Sequence, residues 1–167
     1  MSGEDAIWLD LVRASELRLL ALRSFLTEVV DRAGMVLRGM RGTGLEVTTA
    51  LDMVAQLDVS ERLELFDELV RLCLSQKYGS HVRGLIAALP RDWVLDHIEG
   101  ASGPLLQGGD PIDYRMMLEL YLVLDAGLTM KLAMRAAAQQ DVDTVEAGED
   151  YIALLAVSTR YPRLKLK

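Results

Sequence analysis

The chain has 167 residues, of which 51% are hydrophobic, 26% are charged and 5% are aromatic, and its formal net charge is −7. A chain of this length fits one domain and can bury a hydrophobic core without a metal or a disulfide. The acidic balance argues against a nucleic-acid binder, which needs a basic face to displace counterions. Leu, Ala and Met are abundant and favour helices over sheets.

The compartment is predicted from the cysteine count and the N-terminus. A single cysteine, Cys73, excludes an intramolecular disulfide and favours a reducing, cytoplasmic location. Asp10 and Arg13 interrupt the apolar run that a secretory signal requires. No window of 18 residues is free of charge, so no membrane-spanning helix is predicted. We therefore expect a soluble, intracellular protein.

The first predicted element is one long amphipathic helix over residues 4–40. Apolar residues at positions 8, 12, 19, 22, 26, 29, 33, 36 and 40 keep a period near 3.5, with Ser15 as the gap. A second row (Leu9, Leu17, Leu20 and Phe25) widens the apolar face. A break near residues 14–15 is the alternative, and the glycines at 42 and 44 end the helix.

Capping signals predict the next four helices. Residues 43–46 and 58–61 match the capping box, in which two residues satisfy each other's backbone amides. These boxes predict helices to residue 57 and to residue 77. A short helix over 80–89 follows and is closed by Pro90, and Asp92 is predicted to cap a helix that includes residues 93–98.

Three further helices are predicted in the C-terminal part. Asp110 followed by Pro111 starts a helix to residue 124, Asp125 caps one to residue 139, and a capping box at 143–146 opens one to residue 158. Strand-type alternation is not found between the turns. The sequence therefore predicts an all-α fold, a helical bundle or short α-solenoid of about 7–8 helices. Residues 1–159 form the domain (N-terminal helices over 1–89, helical hairpins over 90–159), and 160–167 form a basic tail.

The segment over residues 90–156 resembles the helical-hairpin units of HEAT and armadillo repeat proteins. The resemblance is carried by the aspartate-containing links at Asp110 and Asp141 and by apolar stripes on the helices beside them. The stripes comprise Leu118, Leu122, Leu132, Ala133, Ala136 and Ala137. The resemblance implies a role in scaffolding or partner binding, with no catalytic residues to carry over.

Candidate catalytic or metal-binding residues are few. His81 and His97 have no histidine or cysteine at helical ligand spacing, so surface or capping roles are favoured. Cys73 falls in an apolar stripe and is predicted to pack, while Ser102 is predicted to lie in a loop. The acidic residues Asp141, Asp143, Glu146, Glu149 and Asp150 lack the spacing of a calcium loop. Asp143 and Glu146 are explained by capping, while Glu149 and Asp150, with Arg135 or Lys131 nearby on the preceding helix, are predicted to form a solvated face. No metal or cofactor is expected.

Two groups of residues are candidates for partner binding. Met116, Met117, Met130 and Met134 cluster on consecutive helices, where methionines line either the core or an adaptable groove. The tail carries Arg160, Arg163, Lys165 and Lys167 on an otherwise acidic chain, and is either a docking segment or a disordered end.

The leading functional hypothesis is a non-enzymatic interaction or scaffolding module that binds another protein, with a homo-oligomer among the assemblies considered. The first alternative is an acidic neutralising partner, such as an immunity protein or antitoxin, that meets a basic target. The second alternative is a small helical enzyme with a site around His81 and His97. Nucleic-acid and membrane partners are not expected.

Overall fold

The computed structural model describes residues 3–108 and 110–160. Within these ranges the chain forms ten α-helices and one short 3-10 helix, and no strand. The α-helices are α1 (Gly3–Glu28), α2 (Arg32–Met40), α3 (Leu45–Val54), α4 (Val59–Glu64), α5 (Phe66–Leu72), α6 (Gly79–Ala87), α7 (Arg91–Ser102), α8 (Pro111–Leu124), α9 (Ala126–Ala137) and α10 (Val142–Arg160). The 3-10 helix covers Pro104–Leu106. The all-α prediction is confirmed, and the helix count exceeds the predicted number because two predicted helices are each divided.

The long helix predicted over residues 4–40 is broken at residues 29–31, and the alternative break at residues 14–15 is absent. Asp31 leaves the helical conformation and caps α2, since its Oδ1 accepts a hydrogen bond from the Gly34 amide at 2.8 Å. Ser15 stays inside α1, where its hydroxyl donates to the Leu11 carbonyl at 2.9 Å. The apolar period continues across the break, but Val36 and Met40 of α2 are buried whereas no residue of α1 is.

The helix predicted over residues 59–77 is divided into α4 and α5, and α5 ends at Leu72. The capping box predicted at residues 58–61 is present at the start of α4, where the Glu61 carboxylate accepts a hydrogen bond from the Asp58 amide at 2.9 Å. The box predicted at residues 43–46 is only half formed. Glu46 accepts from the Thr43 amide at 3.0 Å, but Gly44, at φ +43°, is the N-cap, so α3 begins one residue later.

The caps of α8 and α9 are confirmed, whereas those predicted for α7 and α10 are wrong. Asp110 accepts from the Ile112 amide at 2.8 Å, and Asp125 accepts from the amides of two residues of α9. At α7 the N-cap is Pro90 and Asp92 lies inside the helix. At α10 the capping oxygen belongs to Asp141, which accepts from the Thr144 amide at 2.9 Å. The predicted Asp143 box is therefore not used.

One continuous cluster of buried apolar residues runs through the described chain from Ala33 to Ala147. Helices α8, α9 and α10 each pack against the other two, α5 packs against α6 and α7, and α8 contacts α6 and α7. The C-terminal trio is therefore joined to the middle of the chain through α8. Helix α1 contributes no buried residue to this core.

Candidate interaction surface

Helix α1 is long, apolar and uncovered. Its 26 residues span about 39 Å, and from Gly3 to Ala21 every residue is exposed except the half-buried Ala6. Eight exposed large apolar side chains lie on it: Ile7, Trp8, Leu9, Leu11, Val12, Leu17, Leu19 and Leu20. A soluble monomer rarely leaves so many apolar groups together in water.

Most of these side chains lie on one side of α1. At 100° per residue, Ile7, Trp8, Leu11, Val12 and Leu19 fall within an arc of about 140°; we call these five residues the α1 face. The side chains of Ala14 and Ser15 lie in or next to the same arc and are small. The arc also contains Glu4 near one end of the helix and Arg18 near the other, and the remaining exposed leucines lie on the opposite side. The α1 face is the main apolar surface of the helix.

A groove of about 760 Å³ continues the α1 face towards the body of the protein. On one side it is lined by Leu22 and Phe25 of α1, and on the other by residues of α2 and α3 such as Val36 and Met53. Phe25 is half-buried and packs against the core. Arg18 of α1 binds Asp52 of α3 with an Nη2–Oδ2 distance of 2.6 Å, an exposed ion pair that joins the two helices beside the groove.

A second groove of about 560 Å³ is lined in part by His97, one of the two histidines considered as candidate site residues. The His97 ring stacks on the Trp93 indole at a centroid distance of 3.9 Å, and its Nδ1 lies 2.7 Å from the Trp93 carbonyl oxygen. His81 is exposed on α6 and lines neither groove. The structure therefore does not bring the two histidines together in either groove.

The carboxylate of Glu68, which also lines the second groove, is occupied by two arginines. Its Oε2 accepts from Arg41 Nε at 3.1 Å, and its Oε1 accepts from Arg71 Nε at 2.7 Å. Burial by itself raises the pKa of Glu68, but the two arginines outweigh it and hold the pKa below its ordinary value. Glu68 is therefore a charged residue that joins α5 to the end of α2.

The predicted partner-binding residues lie in different environments. Met117 is fully buried in the core, Met116 and Met130 are half-buried, and Met134 is 61% exposed. The methionines therefore do not form a single exposed surface. Arg160 is the last residue of α10, while Arg163, Lys165 and Lys167 lie outside the described residues.

The other candidates have structural contacts. Cys73 is buried, and burial raises the pKa of its thiol to about 12. Ser102, predicted in a loop, is instead the buried last residue of α7, where its hydroxyl lies 2.7 Å from that of Tyr121. Of the predicted acidic face, Asp150 binds Arg115 at 3.2 Å. Among the described residues, no group of three or more His, Cys, Asp or Glu could hold a metal ion.

The exposure of α1 is a structural feature that the sequence did not predict. Its apolar period indicates an amphipathic helix, but the same period is found whether the apolar side packs inside the chain or against another molecule. In the part of the chain that the structure describes, no helix is long and apolar enough to cross a membrane. Comparison with protein-family models, with curated proteins and with solved structures finds no match to this chain. The resemblance to HEAT and armadillo repeats therefore stays a prediction.

Proposed function

We propose that the chain is a non-enzymatic interaction module that binds a protein partner through the α1 face and the adjoining groove. The observation that carries this proposal is the exposure of α1 from Gly3 to Ala21 together with its large apolar side chains. Removing apolar surface from water is the main favourable term in protein association. Covering the α1 face with a partner is therefore expected to lower the free energy of the system.

The geometry supports recognition by helix packing. An exposed amphipathic helix can lie in a groove of a partner, and a groove between helices can accept a helix from a partner. The α1 face supplies the first element, and the groove lined by Leu22, Phe25, Val36 and Met53 supplies the second. The ion pair between Arg18 and Asp52 keeps the two side by side. A partner can therefore contact both at once.

The contacts in the second groove support structural roles for its polar residues. The Nδ1 of His97 is engaged by the Trp93 carbonyl, and the Glu68 carboxylate is engaged by two arginines. These contacts favour the interaction hypothesis over an enzyme built around His97. The buried free thiol of Cys73 supports the cytoplasm, a reducing compartment, as the place of action.

The proposal is tested by affinity capture from an extract of the cells that naturally produce the protein. Three tagged proteins are compared: the wild type, Leu11→Glu on the α1 face, and Leu20→Glu on the opposite side of α1. The two leucines are similarly exposed, at 57% and 63%. We expect the wild type and Leu20→Glu to recover the same protein, either another protein or the untagged chain itself, and we expect Leu11→Glu to lose it.

Two controls make the capture experiment decisive. Circular dichroism and thermal unfolding must show that both variants fold as the wild type does, which is expected because neither leucine is buried. Equal recovery by Leu11→Glu contradicts the role of the α1 face. If recovery is instead lost on raising the salt concentration, the acidic charge of −7 drives binding, as in the neutralising-partner hypothesis.

A further inference from the structure

We propose that the partner covering the α1 face is a second copy of this chain, whose α1 packs against the first in antiparallel orientation. This inference rests on the proposed function, in which α1 is the docking surface, and adds the identity and direction of the partner. It is argued from the charges along α1, from its small residues and groove, and from the apolar area that it exposes.

Charge is unevenly distributed along α1. Residues 3–10 contain Glu4, Asp5 and Asp10 and no basic residue, and the segment between the two ends holds one charge of each sign, Arg13 and Glu16. Residues 17–27 contain Arg18, which is paired with Asp52, and Arg23, and no acidic residue. The acids of the first turn also suit the positive end of the helix dipole, but Asp10 lies beyond that turn. In an antiparallel pair each acidic segment lies beside a basic segment, whereas a parallel pair places like charges together. The charges therefore favour the antiparallel pair.

Small side chains define where two such helices approach most closely. Ala14 and Ser15 lie near the middle of the exposed part of α1, and an antiparallel pair whose two-fold axis passes between residues 13 and 14 is symmetric and places these small residues near the crossing. In this register Trp8 of one copy faces Leu19 of the other, and Asp5 of one copy lies near Arg23 of the other. Arg23 is exposed and has no ion-pair partner in the part of the chain that the structure describes. Each contact occurs twice because of the two-fold axis.

The same register accounts for the groove. It places residues 3–10 of one copy beside residues 17–24 of the other, and the latter segment includes Arg18 and Leu22 on the rim of the 760 Å³ groove. The N-terminal part of each α1 therefore lies along the groove of its partner. One patch thus supplies both the helix and the surface that receives it, as a two-fold symmetric interface requires.

The apolar area is sufficient for a dimer. The five residues of the α1 face are between 36% and 72% exposed and present on the order of 500 Å² of apolar surface per copy. Interfaces are roughly 60% apolar, so this area corresponds to about 800 Å² per copy, the size of a standard protein–protein interface. A second copy can therefore cover the face without any further partner.

Sedimentation equilibrium of the purified full chain between about 1 and 100 μM tests the dimer. We expect the wild type and Leu20→Glu to show a mass twice that of one chain at the upper concentrations. We expect Leu19→Glu to weaken dimerisation by at least about tenfold, because it buries a charge opposite Trp8. Leu19 and Leu20 are 65% and 63% exposed, so the two variants differ mainly in the side of α1 that they alter. A wild type that stays monomeric, or equal weakening by both variants, overturns the proposal.

A charge exchange tests the orientation in the same assay. Asp5→Lys and Arg23→Glu are each expected to weaken the dimer, and the double variant is expected to restore it, because the exchanged charges again face each other across the two-fold axis. A double variant as weak as the singles overturns the antiparallel arrangement. If the purified chain is monomeric but capture from extract still depends on Leu11, the self-association fails while the proposed interaction function stands. If Leu11→Glu changes neither mass nor capture, both fail.

Discussion

Replacing Gly148 with alanine should destabilise the protein, although replacing a glycine inside a helix with alanine normally stabilises a protein. Gly148 lies in α10 where this helix crosses α9. A Cβ atom placed there would lie 2.5 Å from the Ala133 carbonyl oxygen and 2.5 Å from the Ala137 amide nitrogen. Both are backbone atoms and cannot rotate away, so the two helices must move apart. The neighbouring side chains would then lose their contacts with each other.

The magnitude follows from two opposing effects. Overpacking a well-packed contact costs roughly 1–3 kcal/mol and is at its upper end when backbone atoms are struck, while the helix propensity of alanine returns at most about 1 kcal/mol. We therefore expect Gly148→Ala to lower the free energy of unfolding by about 2 kcal/mol. Gly100 in α7 is the matched control because it is exposed and a Cβ would meet nothing within 4 Å. Gly100→Ala should raise the free energy of unfolding by about 0.5–1 kcal/mol.

Urea denaturation followed by circular dichroism measures both variants against the wild type. We expect the change in the free energy of unfolding to be negative for Gly148→Ala and positive for Gly100→Ala. Helix propensity favours both substitutions, but only the Cβ atom at residue 148 collides with backbone atoms. A Gly148→Ala protein at least as stable as the wild type would refute the close approach of α9 and α10. A destabilised Gly100→Ala protein would refute the assumption that propensity alone governs an open helical position.

Three further predictions concern buried or capping groups. The arginines hold the pKa of Glu68 in the folded protein below its ordinary value of 4.5. The ionic contacts of Glu68 therefore stabilise the fold fully above pH 4.5, and this stabilisation is lost as the pH falls through the pKa of the folded state. Glu68→Gln should therefore cost about 2 kcal/mol at pH 7 in urea denaturation and progressively less as the pH is lowered below 4.5, and a cost that does not change with pH contradicts this. Asp125 accepts hydrogen bonds from the Gly127 amide at 2.8 Å and the Leu128 amide at 3.0 Å, so Asp125→Ala should cost about 1 kcal/mol, and an unchanged melting temperature argues against the cap. The buried thiol of Cys73, with its pKa raised to about 12, should react with a thiol reagent at pH 8 only as fast as the protein unfolds, so rapid labelling of the native chain would contradict its burial.

Caps that depend on a few neighbouring residues could be predicted from the sequence. Asp110 before Pro111, and Asp125, each cap the helix that follows because the capping oxygen and the amides it accepts from are at most three residues apart. Where two carboxylates compete, the sequence does not decide. Asp141 prevails over Asp143 because Thr144, which is fully buried, donates both its amide and its hydroxyl to Asp141, at 2.9 and 3.0 Å.

Features that depend on distant parts of the chain could not be predicted. The closeness of α9 at Gly148 has no local signal, and a helical glycine without neighbours, such as Gly100, looks the same in the sequence. The burial of Met117 and the exposure of Trp8 likewise depend on which helices pack against each other. Hydrophobic periodicity reports that a helix has an apolar side, but it does not report what covers that side.

The position of α1 outside the core has an energetic consequence for its binding. All buried residues of the described chain lie between Ala33 and Leu155, and the segment from Gly3 to Ala21 contributes none of them. The helical state of the segment from Gly3 to Ala21 therefore depends mainly on local propensity, without the tertiary packing that supplies most helical stability in proteins. Covering the α1 face then combines a favourable term, the burial of its apolar side chains, with an unfavourable one, the entropy cost of ordering the helix. Part of the first term is consumed by the second, which limits affinity and makes association reversible and dependent on concentration.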